Sequence, residues 1–317
     1  MTANLRGYDA VRITAMGFVA IQHLVSLSGI ETNDVFWGLD LGQTGVSVFC
    51  GLSGFFALRG TDKSTVTWLW RRLQKIYVPY WLSLLGMLAA NAVVHYKPVA
   101  LDQILSQIAG TGYFTHSTNL LGTHTWFISL ILVCYAIAVV LRWHISLLPL
   151  VVIAAILLLP LDRHFLRHTI SFLAGAVIVV APRQRLAICC VAAAACATAL
   201  YRPEFWYCFA AVVALLVGSL PFGKSSRAFA LASQATYEFF LVHGPIFLGL
   251  ARMANLGIVE TLLVGTVLAG FATWMLRRLS QFVLTSTLAS QRVNEALNTL
   301  PRYCRWRRDC PGDRKSV

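Results

Sequence analysis

The sequence predicts an all-α integral membrane protein of about ten transmembrane helices, with both termini in the cytoplasm. Three observations predict it. The 317 residues are 57% hydrophobic and only 12% charged, with a mean hydropathy of +0.68, whereas a soluble domain carries about a quarter charged residues. The apolar residues gather in runs suited to crossing a bilayer, divided by short polar segments. The cations fall unevenly on the two sides that those runs define. No polar stretch is long enough to bury its own core. Residues 1–280 therefore read as one transmembrane domain and 281–317 as a basic cytoplasmic tail beside anionic lipid.

The runs fall at residues 8–29, 43–59, 76–95, 124–142, 145–161, 168–182, 186–201, 205–221, 234–254 and 258–276. The N-terminus lacks the cleavage pattern of a signal peptide, so the first run is expected to stay in the mature protein. The fifth run contains Pro149 and Pro160, and the sixth is short. Of the Lys and Arg residues, 21 lie on the side of the termini and five on the other. An even number of spans also puts both termini on one side, and the cation excess makes that side cytoplasmic.

The net charge of +13 is confined to these segments, where it sets orientation, so no nucleic-acid partner is expected. Of the eight cysteines, six lie in apolar runs and read as small buried residues. They form no CxxC pair, so neither a disulfide framework nor a metal site is expected.

The first run carries three ionisable groups, which are costly in hydrocarbon and therefore candidates for function. Asp9 and Arg12 are three apart and able to pair on a helix face. Arg12 and His23, eleven apart, return to within roughly 20° of one face and stand roughly 16 Å apart along the axis. In the second run, Ser47, Gly51 and Gly54 form a stripe of small residues that suits close helix packing, and Ser53 adds a hydroxyl. The segment before the third run brings Arg71, Arg72 and Lys75 together at the cytoplasmic boundary, with Tyr80 beyond. Three cations there suit a polyphosphate, whose oxygens arginine grips bidentately, although they also suit a simple positive-inside anchor.

Residues 96–123 read as an outer loop able to line a cavity, leading to His124 and Trp126. His164 and His168, four apart, read as a pair snorkelling to the outer interface. The ninth run holds Glu238, His243 and a Gly244-Pro245 break that frees backbone groups.

These segments carry a resemblance. The chain resembles the acyltransferase family 3 membrane proteins, which modify bacterial cell-surface polysaccharides and related acceptors. Arg12, ten residues and His23 match that family's first-span signature, with Asp9 at the acidic position three before the arginine. Residues 45–55, the run from Arg71 to Tyr80, Trp126-Phe127 and the segment from Tyr237 to Pro245 are similar to later motifs, in order, over roughly residues 5–280. Lys75 stands where the family has a second arginine, which keeps the charge and loses the planar fork. Glu238 also departs from the pattern, and no appended hydrolase-like domain is expected.

The resemblance implies a multi-pass O-acyltransferase of the bacterial inner membrane. It would move an acyl group, acetyl first among the choices, from cytoplasmic acyl-CoA to a hydroxyl of a glycan or lipid-linked sugar. His23 is then expected as the general base, with Asp9 and Arg12 in its support. Arg71, Arg72 and Lys75 would hold the donor phosphates, and Ser53, Tyr80, Trp126, Glu238 and His243 would line the acceptor side. Membrane lipid is the expected surround, and the Gly/Ser stripes would permit contacts between copies of the chain. The rival reading is a transporter of acyl groups or lipid-linked sugars without chemistry of its own; the absence of an internal repeat argues against it.

Overall fold

A computed structural model describes residues 6–27, 40–59, 64–95, 97–115, 125–158, 161–180, 184–220, 226–254 and 256–299. Among these the regular elements are helices, and no strand occurs. In chain order they are α1 (Arg6–Leu27), α2 (Leu41–Arg59), α3 (Thr65–Val94), α4 (Leu101–Ala109), α5 (Trp126–Trp143), α6 (Leu148–Leu158), α7 (Arg163–Val180), α8 (Gln184–Ala199), α9 (Phe205–Gly218), α10 (Arg227–Gln234), α11 (Thr236–Met253) and α12 (Ile258–Thr299). A helix stands in each of the ten expected runs, but five are long and apolar enough to cross a membrane: α1, α2, α3, α5 and the 258–286 part of α12. Helices such as α6, with 11 residues, rise only about 17 Å at 1.5 Å per residue, short of a hydrocarbon core of about 30 Å. His124 lies outside the described residues, and α12 runs past residue 280 without a break.

α2 is the centre of the bundle, packed against α1, α7 and α9. Its glycines are the reason. A β-carbon on Gly54 would overlap the Phe172 carbonyl of α7, and one on Gly175 would overlap the Gly51 carbonyl of α2. On its other side Gly45 lies against the Ala15 carbonyl of α1. The stripe is thus used for backbone-to-backbone packing, as small residues are in membrane bundles. Cys50, Cys134 and Cys208 are buried as expected, whereas Cys189 and Cys190 are exposed because α8 packs at the rim.

These contacts fix the level of α1. The Leu41 N–H donates to Gln22 Oε1 at 3.1 Å, so His23 stands beside the first turn of α2, while Arg12 lies toward the other end, over Phe56.

The segment expected as an outer loop contains α4, which folds back along α3. Its last carbonyls, of which only Gln107 O is also reached by the Gly110 N–H, at 2.9 Å, meet side-chain donors. Tyr80 donates to Gln107 O at 2.8 Å, Trp81 to Ile108 O at 3.0 Å, Tyr77 to Ala109 O at 2.8 Å and Ser129 to Gly110 O at 2.6 Å. Gly110, at φ +74°, turns the chain there. Tyr80 lies 14 residues before the end of α3, so the re-entry reaches roughly 21 Å back along that helix.

Candidate functional site

His23 meets a second imidazole. His243 of α11 is fully buried, and its Nε2 lies 3.0 Å from His23 Nδ1. His243 Nδ1 faces two carbonyl oxygens, Phe239 O at 3.0 Å and Phe240 O at 2.9 Å. Carbonyls only accept, so Nδ1 of His243 carries the hydrogen and its Nε2 the lone pair. The contact with His23 then requires Nδ1–H of His23 to donate, which leaves the lone pair of neutral His23 on Nε2. These tautomers are the assignment for two neutral rings. Stacking of His243 on Phe239 at 5.4 Å and on His23 at 4.9 Å holds the planes.

The local sequence explains the placement of His243. Pro245 has no N–H for the carbonyl four residues earlier, Leu241 O, and the Ser83 hydroxyl of α3 donates to it at 3.5 Å. The break thus lies in the turn that presents the imidazole.

The opposite end of the bundle gathers guanidinium groups. Arg12 pairs with Asp9 at 3.3 Å, and Ser233 of α10 donates to the same carboxylate oxygen at 2.6 Å. Arg59 lies over Phe55 at 5.1 Å. The buried indole of Trp68 lies between Arg142, at 5.0 Å, and Arg72, at 6.0 Å. Arg142 also donates to Ala57 O at 2.8 Å, and Arg72 acts electrostatically on Tyr135 and on Arg12. Four helices therefore bring a crescent of four guanidiniums to one end of the bundle, Arg12, Arg72 and Arg142 half-buried and Arg59 exposed. Among the described residues, Trp68 Nε1–H is buried without an acceptor beside it.

The structure divides the expected donor trio. Arg72 turns inward into this crescent, while Arg71 and Lys75 lie exposed on another face of α3. Arg59 and Arg142 had no motif to mark them and read as positive-inside anchors.

The remaining expected residues separate. Tyr80 is fully buried, with its hydroxyl engaged in α4. Ser53 is half-buried on α2, about eight residues nearer the guanidinium crescent than the Gly45 contact, or roughly 12 Å. Glu238 is half-buried in the first turn of α11, where Arg277 is the cation that acts on it. Trp126 lies at the Asp40 end, its ring 4.6 Å from His164.

His164 and His168 do not snorkel as a pair. His168 is fully buried, receiving the Ser47 hydroxyl at Nδ1 at 2.7 Å and meeting Gln43 Oε1 from Nε2 at 2.7 Å. Its polar atoms are satisfied by α2, so water is not needed. Asp40, which the sequence reading passed over, caps α2 by accepting from Gln43 N at 2.9 Å.

Residues 5–277 match a family model described as an acyltransferase domain. Comparison with curated proteins and with solved structures gives no match.

Proposed function

The chain belongs to the acyltransferase family whose model spans residues 5–277 and is a membrane-embedded acyltransferase; from that premise we propose that it is an O-acyltransferase with His23 as general base. The acyl group, acetyl in the simplest case, comes from cytoplasmic acyl-CoA. It passes to a hydroxyl of a glycan or lipid-linked sugar at the opposite face of a bacterial inner membrane. In this reading the shorter helices also cross the bilayer, and both termini are cytoplasmic.

One observation supports the assignment of the base: the 3.0 Å contact between His23 Nδ1 and His243 Nε2, which for two neutral rings puts the lone pair of His23 on Nε2. As the acceptor oxygen attacks the thioester carbonyl, Nε2 takes its proton. The imidazolium then donates more strongly from Nδ1 to His243, so the second ring stabilises the charge that develops. Collapse breaks the carbon–sulfur bond, and the proton on Nε2 passes to the departing thiolate. An imidazole suits this role near neutral pH.

Arg12, Arg59, Arg72 and Arg142 are the groups we assign to the donor phosphates, with Arg71 and Lys75 at the outer lip. Converging guanidiniums suit phosphate oxygens. The roughly 16 Å from Arg12 to His23 along α1 suits an extended arm between phosphates and thioester.

The test is acyl-CoA turnover by protein reconstituted in lipid, with a bacterial glycan extract as acceptor. Wild type is expected to release CoA, and His23→Ala to bind donor without releasing it. Wild-type turnover by the variant would remove His23 from the chemistry.

A further inference from the structure

The Asp40 end of the bundle holds a polar cluster that the reaction above does not use, built around Trp126. Trp126 opens α5, His164 and Arg167 stand one turn apart on α7, and Glu204 and Tyr207 come from the start of α9. The Arg167 guanidinium lies over the Tyr207 ring at 4.6 Å. One of its terminal nitrogens donates to His164 Nδ1 at 2.8 Å, which leaves His164 neutral with its hydrogen on Nε2. Arg163 engages Oε1 of Glu204 at 3.3 Å. Arg167 and Glu204 are within electrostatic reach of each other, and Asp40 acts on both Arg167 and His23. The cluster and the proposed base thus lie at the same end of the bundle, His23 beside the Gln22 that receives Leu41 N–H.

Two buried atoms of this cluster have no hydrogen-bond partner among the described residues: Arg167 Nε, a donor, and Glu204 Oε2, an acceptor. A buried group left unmatched costs about 1–3 kcal/mol, and more when charged. An anion would satisfy Arg167 and leave Glu204 facing like charge; a cation would do the reverse. A hydroxyl answers both, since it accepts and donates at one oxygen. Trp126 and Tyr207, both half-buried, add aromatic surface that suits the flat side of a ring bearing several hydroxyls. Asp40, Asp162 and Glu204 outnumber Arg163 and Arg167, which disfavours an acidic ligand.

We propose that Trp126, His164, Arg167, Glu204 and Tyr207 form a subsite for an uncharged sugar ring, with one ring hydroxyl bridging Arg167 Nε and Glu204 Oε2. The proposal rests on the O-acyltransferase reading for its role, where it supplies the acceptor side of His23, but not for its binding.

The test measures binding alone. Protein in nanodiscs of phosphatidylethanolamine and phosphatidylglycerol is titrated with methyl glucoside, methyl galactoside and methyl rhamnoside, with glucuronic acid as the charged comparator. Saturable binding of at least one methyl glycoside is expected, with Kd raised about tenfold by Glu204→Gln, the loss of one charge-assisted hydrogen bond. Trp126→Phe, which keeps a ring in place, is expected to weaken it about threefold. Absence of glycoside binding by wild type would overturn the proposal, as would unchanged binding by both variants. Glucuronic acid binding more than about tenfold tighter than every glycoside would make this an anion site and overturn it equally. Glycoside binding without CoA release from acyl-CoA would leave the subsite standing and remove the reaction; CoA release by a wild type that binds no glycoside would do the opposite.

Discussion

His23 donates to His243 across 3.0 Å, between residues 220 apart in the chain. The pair converts a lone imidazole on α1 into one with a fixed tautomer, because the Phe239 and Phe240 carbonyls decide where each hydrogen lies.

His23→Ala is expected to lower kcat by about 10²–10⁴-fold, the usual contribution of general-base catalysis. His243→Ala should lower it about 10–100-fold, the cost of losing an orienting partner, here judged from metal-site analogues. His243→Gln offers an acceptor oxygen to His23 and should recover part of that loss. Steady-state kinetics with donor Kd measured in parallel checks this: a purely structural His243 would show no difference between the alanine and glutamine variants at equal thermal stability.

Donor affinity should follow burial in the guanidinium crescent rather than order in the sequence. Arg72→Gln and Arg142→Gln are each expected to weaken CoA binding about tenfold or more, as charged hydrogen bonds are worth about 1.5–3 kcal/mol. Arg71→Gln, an exposed group, should cost at most about 1 kcal/mol, or roughly fivefold. Isothermal titration at two salt concentrations measures both, and equal losses at Arg71 and Arg142 would contradict the convergence of the crescent.

Tyr80→Phe removes the side-chain donor to Gln107 O, which keeps the Gly110 N–H at 2.9 Å, and should destabilise the protein by about 0.5–1.5 kcal/mol. Hydrogen exchange should quicken in residues 101–110 before it does so in α2. Unchanged exchange there would mean that α4 is held by other contacts.

Two glycines should respond oppositely to one methyl group. Gly54→Ala drives a β-carbon into the Phe172 carbonyl and is expected to cost about 1–3 kcal/mol or more. Gly86→Ala meets nothing within 4 Å and should gain up to about 1 kcal/mol from helix propensity. Thermal unfolding in detergent compares them directly.

What could be read from the sequence was whatever the helix repeat makes local. Asp9 and Arg12 pair as their three-residue spacing requires, and Gly51 and Gly54 pack backbone to backbone as a small-residue stripe should. His243 drew attention as an ionisable group in an apolar run, but its partner could not be read, because nothing local links α1 to α11. Arg59 and Arg142 were hidden by resembling ordinary boundary cations; only their shared approach to the Phe55–Trp68 region sets them apart. His168 misled for a physical reason: an imidazole near a helix end reads as interfacial unless its hydrogen-bond partners, Ser47 and Gln43, are known. Residues 101–109 gave a helix where polar composition suggested a loop, since the donors that make its buried end tolerable lie on α3 and α5.

That last arrangement imposes an order of assembly. One of the four donors that receive the end of α4, Ser129, belongs to a helix made after it. While the chain is being synthesised, Tyr77, Tyr80 and Trp81 are already in place, yet the Gly110 carbonyl must stay hydrated until α5 arrives. The seat of α4 is therefore complete only when α5 is present, so the packing of this short helix depends on an element that follows it in the chain.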